Sequence, residues 1–253
     1  MQEQATTQHR QHHINLLPGE AAPTVLIPGD PGRVKVFADL MDEAWKVTEK
    51  REFITYTGRK DGVLISCTST GLGSPPTAIG TEELFRIGTK NIIRIGTCGA
   101  IQPFCKPGDM IIATGAVRGE RTSEELIPVE YPAAADFRIV RALIDACERL
   151  DLPYHVGIIR THDAYYMESP QAFGDYKARL QKWVDLGVLA LDNESSALFI
   201  VSSLHGIRAG TILASGNSIF QENADDVDWE SNVRKMIRAG IEAAKILHER
   251  ELD

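Results

Sequence analysis

Three arginines in separate segments of the sequence, Arg33, Arg51 and Arg94, have the chemistry needed to bind a phosphate group. A guanidinium presents its N–H donors in a planar fork that matches phosphate oxygens. Arg33 closes the segment PGDPGR at residues 28–33, where Gly29 allows a ligand to approach the backbone. The helix expected after this turn presents free N–H groups to an anion. The segment therefore predicts an anion pocket, with a Pro/Gly turn carrying a surface arginine as the alternative.

Arg94 lies among three isoleucines in an apolar segment, and Gly96-Thr97-Cys98-Gly99-Ala100 overlaps its end. A buried arginine must be paired because an unpaired buried charge is costly. The pattern favours an anion site that includes the hydroxyl of Thr97, and a structural salt bridge of Arg94 is the alternative. For Arg51, in Arg51-Glu52-Phe53, the residues alone favour a solvated charge pair over a third phosphate ligand.

Polar residues also follow two later apolar segments. Asp192-Asn193-Glu194 places carboxylates where they can accept hydroxyl donors, as a ribose diol would supply, or where they can cap a helix. Ser215-Gly216-Asn217-Ser218 is small and polar, and it either touches a ligand or turns the chain. His13 lies in a polar segment, and alone it indicates a surface histidine.

Short apolar strands alternate with amphipathic helices from about residue 24 to the end of the chain. The pattern predicts strands at residues 24–27, 53–56, 63–66, 91–95, 110–113, 156–159, 188–191 and 211–214. It predicts helices from Pro31, over 75–87, after Asp136, over 194–204 and from Asp228. Such an alternation is typical of an α/β sheet covered on both faces. Ligands of these sheets bind at the carboxyl ends of the strands, where the polar residues above fall.

Composition limits the class of protein. A net charge of −8 over 253 residues disfavours binding to nucleic acid or to an anionic membrane surface. No apolar run approaches the ~18 residues of a membrane span, and we expect no signal peptide. The cysteines (Cys67, Cys98, Cys105 and Cys147) form no C-x-x-C pair, so we expect reduced thiols in a cytoplasmic protein and no metal site.

The ordered series of motifs resembles the nucleoside phosphorylase-I family, in particular the branch of uridine phosphorylases and uridine-phosphorylase-like purine nucleoside phosphorylases. The resemblance spans roughly residues 13–250 and is carried by VLIPGDPGRV (25–34), REF (51–53), STGLGSP (69–75), RIGTCGAIQP (94–103), YPAAADF (131–137) and NESSA (193–197). It implies a three-layer α/β/α sandwich around a central mixed β-sheet, of the phosphorylase/hydrolase-like type. We therefore expect a flexible tail at residues 1–12 and a single domain at 13–253.

The resemblance also implies roles for individual residues. Gly29, Arg33, Arg94 and Thr97 resemble the phosphate ligands of the family, and Arg51 resembles the arginine that reaches phosphate from the neighbouring subunit. For the ribose, His13 resembles the histidine that crosses the interface to the 5′-hydroxyl. Glu194 resembles the glutamate that holds the 2′- and 3′-hydroxyls, beside Asn193. Arg94, Glu194 and Arg33 are the expected catalytic residues.

The residues expected near the ribose and the nucleobase depart from the pattern of the family. The family commonly reads Glu-Met-Glu where this chain has Asp192-Asn193-Glu194, so Asn193 replaces the methionine that packs on ribose. The Gln-x-Arg pair of uridine phosphorylases is absent from the loop that reads MESPQ at residues 167–171. The aspartate of the purine enzymes is replaced at Gly216 or Asn217. Our candidates for contact with the base are Tyr165, Tyr166, Gln171, Gly216 and Asn217, and Ser215 and Asn223 are further candidates for stabilising the leaving base.

The implied activity is reversible, phosphate-dependent cleavage of a nucleoside to free base and ribose 1-phosphate, in nucleoside salvage. A uridine-like pyrimidine nucleoside is favoured because the purine-type aspartate is missing, and a purine nucleoside is the alternative. A hydrolytic nucleosidase and a non-catalytic nucleoside-binding protein on the same fold are further alternatives. We expect no metal and no organic cofactor besides the co-substrate phosphate, with a monovalent cation at a dimer interface left open. We expect a homo-oligomer, a hexamer built as a trimer of dimers with the dimer as the minimum.

Overall fold

The computed structural model describes residues 9–166, 169, 172, 174–216 and 228–252, in which the chain forms ten strands and six helices. The strands are β1 (Thr24–Ile27), β2 (Glu43–Lys50), β3 (Phe53–Lys60), β4 (Val63–Thr68), β5 (Asn91–Ala100), β6 (Met110–Gly119), β7 (Ala133–Ala134), β8 (Tyr154–His162), β9 (Ala190–Asp192) and β10 (Arg208–Ser215). The helices are α1 (Gly32–Leu40), α2 (Ser74–Arg86), α3 (Phe137–Arg149), α4 (Tyr176–Asp185), α5 (Ser195–His205) and α6 (Trp229–Leu252). None of the helices in these ranges is long and apolar enough to cross a membrane.

Strand β5 is the junction of one mixed sheet. It pairs in parallel with β1 and β10 and antiparallel with β9. Because β10, β6, β8 and β9 also pair in that order, these four strands and β5 form a closed ring. From β5 the sheet continues through β1, β4, β3 and β2. The long strand β5 therefore carries its carboxyl end into the region where both parts of the sheet meet.

Helices cover both faces of this sheet. On one face, α1, α3 and α6 bury a cluster that includes Phe37, Leu143 and Ile237. On the other, α2 and α5 bury Leu84 and Phe199 against the strands. Burial of such side chains is worth about 1.5–3 kcal/mol each, so the two clusters supply the main driving force for folding. The predicted mixed α/β architecture with a covered central sheet is confirmed.

The main differences from the predicted elements lie in length. The strand expected at residues 91–95 continues to Ala100, because its glycine-containing end still pairs with β9 and β10. The strand expected at residues 188–191 is instead Ala190–Asp192. Strand β2 and helix α4 were not predicted, since both are polar and mostly exposed and lack a clear apolar period.

The described part of the N-terminal segment packs on the domain. Arg10 forms an ion pair with Glu20 at 2.7 Å, and Gln11 is buried. Ile14 and Leu16 join the cluster under α2. The expected boundary between a tail and the domain at residue 13 stays a prediction.

Candidate active site

A cavity of about 580 Å³ opens at the carboxyl ends of β1, β5, β9 and β10. Seventeen residues line it: Gly29, Asp30, Pro31, Arg33, Gly71, Leu72, Arg94, Thr97, Cys98, Gly99, Tyr165, Leu191, Asp192, Asn193, Glu194, Gly216 and Trp229. This is where parallel strands in an open α/β sheet present their loops to a ligand. Eight of the residues predicted from sequence meet here: Gly29, Arg33, Arg94, Thr97, Tyr165, Asn193, Glu194 and Gly216.

Arg33 and Thr97 form one wall of the cavity. Arg33 lies in the first turn of α1, and its Nη2 donates to Oγ1 of Thr97 at 3.2 Å. Its nearest carboxylate contact is Asp30, at 3.9 Å from Nε. Burial, followed by the positive charge of Arg94, lowers the pKa of Arg33, which remains a cation at neutral pH. Two cations side by side in a partly buried wall favour an anionic ligand.

Arg94 lies in β5 beneath this wall and is almost fully buried. Its Nε lies 3.1 Å from Oδ2 of Asp192 and its Nη2 lies 2.5 Å from Oε2 of Glu194. Burial acts to lower the pKa of Arg94, but the two carboxylates outweigh it and the net shift is upward. Arg94 therefore forms the buried salt bridge that was the alternative from the sequence and also lines the cavity, and its role as an anion ligand stays a prediction.

Glu194 has both carboxylate oxygens engaged. Oε1 accepts the backbone N–H of Gly73 at 2.8 Å, and Oε2 accepts that of Asn193 at 3.1 Å besides the Arg94 contact. Each carboxylate oxygen has two lone pairs, so Oε1 retains capacity for a further hydroxyl donor. A Cβ at Gly29 would lie 3.0 Å from the carbonyl oxygen of Gly71 and 3.8 Å from Oε1 of Glu194, so only glycine keeps this passage open.

Asn193 lines the cavity through a fixed side chain. Its Nδ2 donates to the carbonyl oxygen of His162, and its own carbonyl accepts the hydroxyl of Ser74 at 2.7 Å. Buried polar groups need such partners. The side-chain amide is thus held by β8, and the Ser74 hydroxyl of α2 holds the backbone carbonyl of Asn193.

The cavity also has lining residues that carry no formal charge. Among them are Cys98, Leu191, Tyr165, Gly216 and Trp229. Burial raises the pKa of the Cys98 thiol well above its ordinary value, so this group stays protonated. Trp229 was missed by sequence reasoning. Its only signal is its position at the start of the last helix, which returns the chain to the sheet after β10.

Four described candidates lie outside the cavity of this chain: Ser215, which is fully buried and donates its hydroxyl to the carbonyl oxygen of Gly216 at 3.2 Å, and Arg51, His13 and Tyr166. Arg51 is exposed in the turn between β2 and β3, with φ of 55°. His13 places Nδ1 2.7 Å from Oε1 of Glu83. Tyr166 is exposed beside Tyr165, with ring centroids 5.0 Å apart. Gln171, Asn217 and Asn223 lie outside the described residues.

No group of three or more His, Cys, Asp or Glu side chains suited to a metal ion occurs within the described ranges. The candidate site therefore combines two arginines, three carboxylates and several lining residues without formal charge, among them Leu191, Tyr165 and Trp229. Such an arrangement suits a ligand with a planar apolar ring, a set of hydroxyl groups and an anionic co-ligand.

Comparison with known proteins gives a consistent result. The sequence profile of the phosphorylase superfamily matches residues 23–249. A uridine phosphorylase from Thermococcus kodakarensis is 40% identical over 250 residues, which cover 96% of this chain and 89% of that protein. A guanosine phosphorylase from Halorubrum lacusprofundi is 37% identical over 246 residues, covering 94% of this chain and 99% of that protein.

Solved structures agree. A uridine phosphorylase from Vibrio fischeri superposes with a TM-score of 0.86 at 32% identity, covering 96% of this chain and 99% of that one. A purine nucleoside phosphorylase from Toxoplasma gondii in complex with immucillin-H superposes with a TM-score of 0.88 at 28% identity, covering 96% of this chain and 98% of that one.

Proposed function

The chain belongs to the phosphorylase superfamily, and from that premise we propose how its cavity carries out the phosphorolysis of a nucleoside. It is a nucleoside phosphorylase, and hence a pentosyltransferase, whose substrates are a nucleoside and phosphate. The residues that perform each part of the reaction, and the base that the enzyme prefers, are the substance of the proposal.

The single observation that carries the proposal is the convergence of Arg33, Thr97 and Arg94 on one end of the cavity, next to Glu194. We assign this end to phosphate, with Gly29 beside it; the backbone N–H groups of Gly32 and Arg33 are already bonded to Asp30, so the arginine side chains are the main donors. The arginines neutralise the dianion and aim one oxygen at C1′ of the sugar.

The reaction then proceeds by displacement at C1′. A phosphate oxygen forms the new C1′–O bond, and the C1′–N glycosidic bond breaks with its electron pair moving to the base. The sugar gains positive charge and the base gains negative charge in the transition state. A buried carboxylate at Glu194 stabilises the first, and hydrogen-bond donors or a proton at the base stabilise the second.

Glu194 is proposed to hold the ribose 2′- and 3′-hydroxyls. Its position is fixed by Gly73 and Arg94, so the carboxylate does not need to reorganise when the sugar binds. Asn193 lines the same part of the cavity, although its amide is already bonded to β8.

Charge balance supports a further cation from a second copy of the chain. The ionisable residues that line the cavity are two arginines, Arg33 and Arg94, against three carboxylates, Asp30, Asp192 and Glu194. Because the carboxylates outnumber the arginines, another positive charge would stabilise a phosphate dianion bound in that cavity. We propose that Arg51 of one subunit supplies it to the neighbour, and that His13 of that subunit reaches the ribose 5′-hydroxyl. The proposed assembly is a hexamer made as a trimer of dimers, with the dimer as the minimum.

For the base we propose a uridine-like pyrimidine, with a purine nucleoside as the alternative. Relatives named uridine phosphorylase and guanosine phosphorylase match this chain over nearly its full length, at 40% and 37% identity. The purine-type aspartate has no counterpart at Gly216, and this absence favours the pyrimidine. No organic cofactor or metal is proposed, a monovalent cation at a dimer interface is left open, and the proposed location is the cytoplasm.

A hydrolytic nucleosidase is disfavoured by the hydrogen bonds of the carboxylates. Such an enzyme needs a carboxylate free to activate water. Asp192 accepts from Thr161 at 2.7 Å and from the Ser195 hydroxyl at 2.6 Å besides Arg94, and Glu194 is held as described. These partners disfavour Asp192 and Glu194 as general bases, and Asp30, the third carboxylate of the cavity, accepts the backbone N–H of Gly32 at 2.8 Å and lies 3.9 Å from Nε of Arg33.

Incubation of the purified enzyme with uridine, cytidine, inosine and guanosine, with and without phosphate, tests the proposal. We expect base release only when phosphate is present, with uridine the best substrate, and ribose 1-phosphate as the second product. Release at equal rates without phosphate indicates a hydrolase. If no base is released from any of the nucleosides, the assigned activity is contradicted and a non-catalytic nucleoside-binding protein is favoured.

A further inference from the structure

Trp229 lies in the wall of the cavity, against Gly216. It is the first residue of α6 and lines the cavity, yet 43% of its surface is exposed. A large aromatic side chain with that exposure inside a concave site is available for contact with a ligand. Among the cavity residues, Tyr165 is the other exposed ring, at 64%.

Gly216 makes room for this indole. A Cβ built on Gly216 would lie 2.3 Å from Cη2 and 2.8 Å from Cζ2 of Trp229. The backbone N–H of Gly216 donates to the carbonyl oxygen of Cys98 at 2.9 Å, so the glycine cannot easily move away. The ring therefore lies directly against the backbone that follows β10, and this close approach depends on glycine at residue 216.

The surroundings of the ring identify its ligand by chemistry. Cys98, Leu191 and Tyr165 line the cavity together with Trp229. The carbonyl oxygen of Cys98 would lie 3.3 Å from a Cβ built on Gly216, the residue that the indole contacts. A planar heteroaromatic ring is the part of a nucleoside that gains from such a surface, because any base has a π-face on which an indole stacks.

We propose that Trp229 is a base-stacking residue, and that the Gly216–Trp229 contact sets the shape of the base end of the cavity. This inference rests on the proposed function and names the residue that binds the base. The same contact leaves no space for a carboxylate side chain at residue 216. Recognition of the base at this end is therefore by stacking and shape.

The three tryptophans of the chain permit a direct test. Trp45 on β2 is 45% exposed and lies outside the cavity, so Trp45→Phe is a matched control for Trp229→Phe. The probe is the nucleoside that the wild type cleaves best among uridine, inosine and guanosine, added without phosphate. We expect it to change the tryptophan fluorescence of the wild type and of Trp45→Phe to the same extent. The change is lost in Trp229→Phe.

Steady-state kinetics give a second readout. Trp229→Ala should raise KM for the nucleoside by about tenfold or more, the size expected for a lost base–aromatic stack, and leave KM for phosphate within about twofold. Gly216→Ala should have the same effect without altering the indole itself, because its methyl group displaces the ring. Trp229→Phe should retain most of the affinity, and circular dichroism shows that each variant is folded.

Three results would overturn the inference: a fluorescence change that survives in Trp229→Phe, one that disappears in Trp45→Phe, or an unchanged nucleoside KM in folded Trp229→Ala. A wild type that cleaves its nucleoside without any fluorescence change refutes the stacking role and leaves the phosphorylase activity in place. If the wild type cleaves no nucleoside, the proposed function fails, and the stacking role fails with it.

Discussion

Arg33 donates from Nη2 to Oγ1 of Thr97 at 3.2 Å, and this hydrogen bond joins the first turn of α1 to β5 in one wall of the cavity. The two residues are 64 positions apart in the chain, and each comes from a different strand end. Among the residues that the structure describes, the nearest carboxylate to this guanidinium is Asp30, at 3.9 Å from Nε, so we propose that most of its charge is available to a ligand.

Replacement of this guanidinium by an ammonium should affect phosphate selectively. Arg33→Lys retains the positive charge but loses the planar fork, so we expect KM for phosphate to rise by roughly 10- to 100-fold, as for loss of a charge-assisted hydrogen bond. KM for the nucleoside should change little. Initial rates at varied phosphate concentrations measure the effect. The control is Arg59→Lys, because Arg59 is exposed and forms an ion pair with Glu43. An equal rise in both KM values would place Arg33 elsewhere than at the phosphate.

Removal of Arg94 should reduce both activity and stability. Arg94→Ala leaves Asp192 and Glu194 buried without their cation, and we expect a loss of about 3–5 kcal/mol in the free energy of unfolding, besides loss of phosphate-dependent turnover. Urea denaturation measures the first effect. Arg94→Met combined with Asp192→Asn should recover part of the stability, since one buried charge is removed, and none of the turnover. Recovery of turnover in that double variant would contradict the assignment.

The proposed sharing of the site between subunits predicts complementation. Arg51→Ala and Glu194→Gln should each lower kcat/KM by about 100-fold or more, since each loses an interaction with a charged group of the transition state. Mixed oligomers of the two variants should regain activity, because some sites then combine an intact Glu194 with an intact Arg51 from the neighbour. To measure this, oligomers of the two variants are dissociated, mixed and reassembled, and phosphorolysis by the mixture is then assayed.

The control for the mixing experiment is Arg59→Ala, another exposed arginine, which should retain full activity alone. Mixed oligomers that stay as inactive as their parents would show that Arg51 and Glu194 do not act across a subunit boundary.

From the sequence, the functional residues at the strand ends can be predicted more easily than the distant residues that pair with them. Arg94 is recognisable because an arginine inside an apolar strand must be paired, and Gly29 because a Pro/Gly turn follows a strand. The partner of Arg94 is not recognisable, since Asp192 lies 98 residues away and the pairing depends on how β5 and β9 meet. A salt bridge and a place in the cavity wall do not exclude each other, because the guanidinium of Arg94 has both, and its contact with an anion stays a prediction.

Other residues escaped prediction for different physical reasons. Trp229 begins a helix whose start was expected at Asp228, yet nothing local indicates that its ring returns to the end of β10. Strand β2 forms because it pairs with β3, although its own residues are charged and exposed. Long-range pairing of this kind decides the structure where local patterns are weak.

The last prediction concerns a buried histidine under the site. His162 ends β8, its carbonyl oxygen anchors Asn193, and its Nδ1 has no hydrogen-bond partner among the described residues. Burial, followed by the charge of Arg160, lowers the pKa of His162 from its ordinary 6.5, while Asp192 and Asp163 act in the opposite direction.

Because the folded pKa lies below the unfolded value, the unfolded chain binds more protons than the folded chain once the pH falls through 6.5. The free energy of unfolding contributed by this group is therefore fully present above the unfolded pKa and is lost as the pH falls below it. Urea denaturation from about pH 8 to about pH 5 should show stability falling with pH, and His162→Gln should reduce the slope. His12→Gln, on the exposed surface, is the control and should keep the slope of the wild type. An identical slope in His162→Gln and wild type would show that His162 is protonated as easily in the folded chain as in the unfolded one.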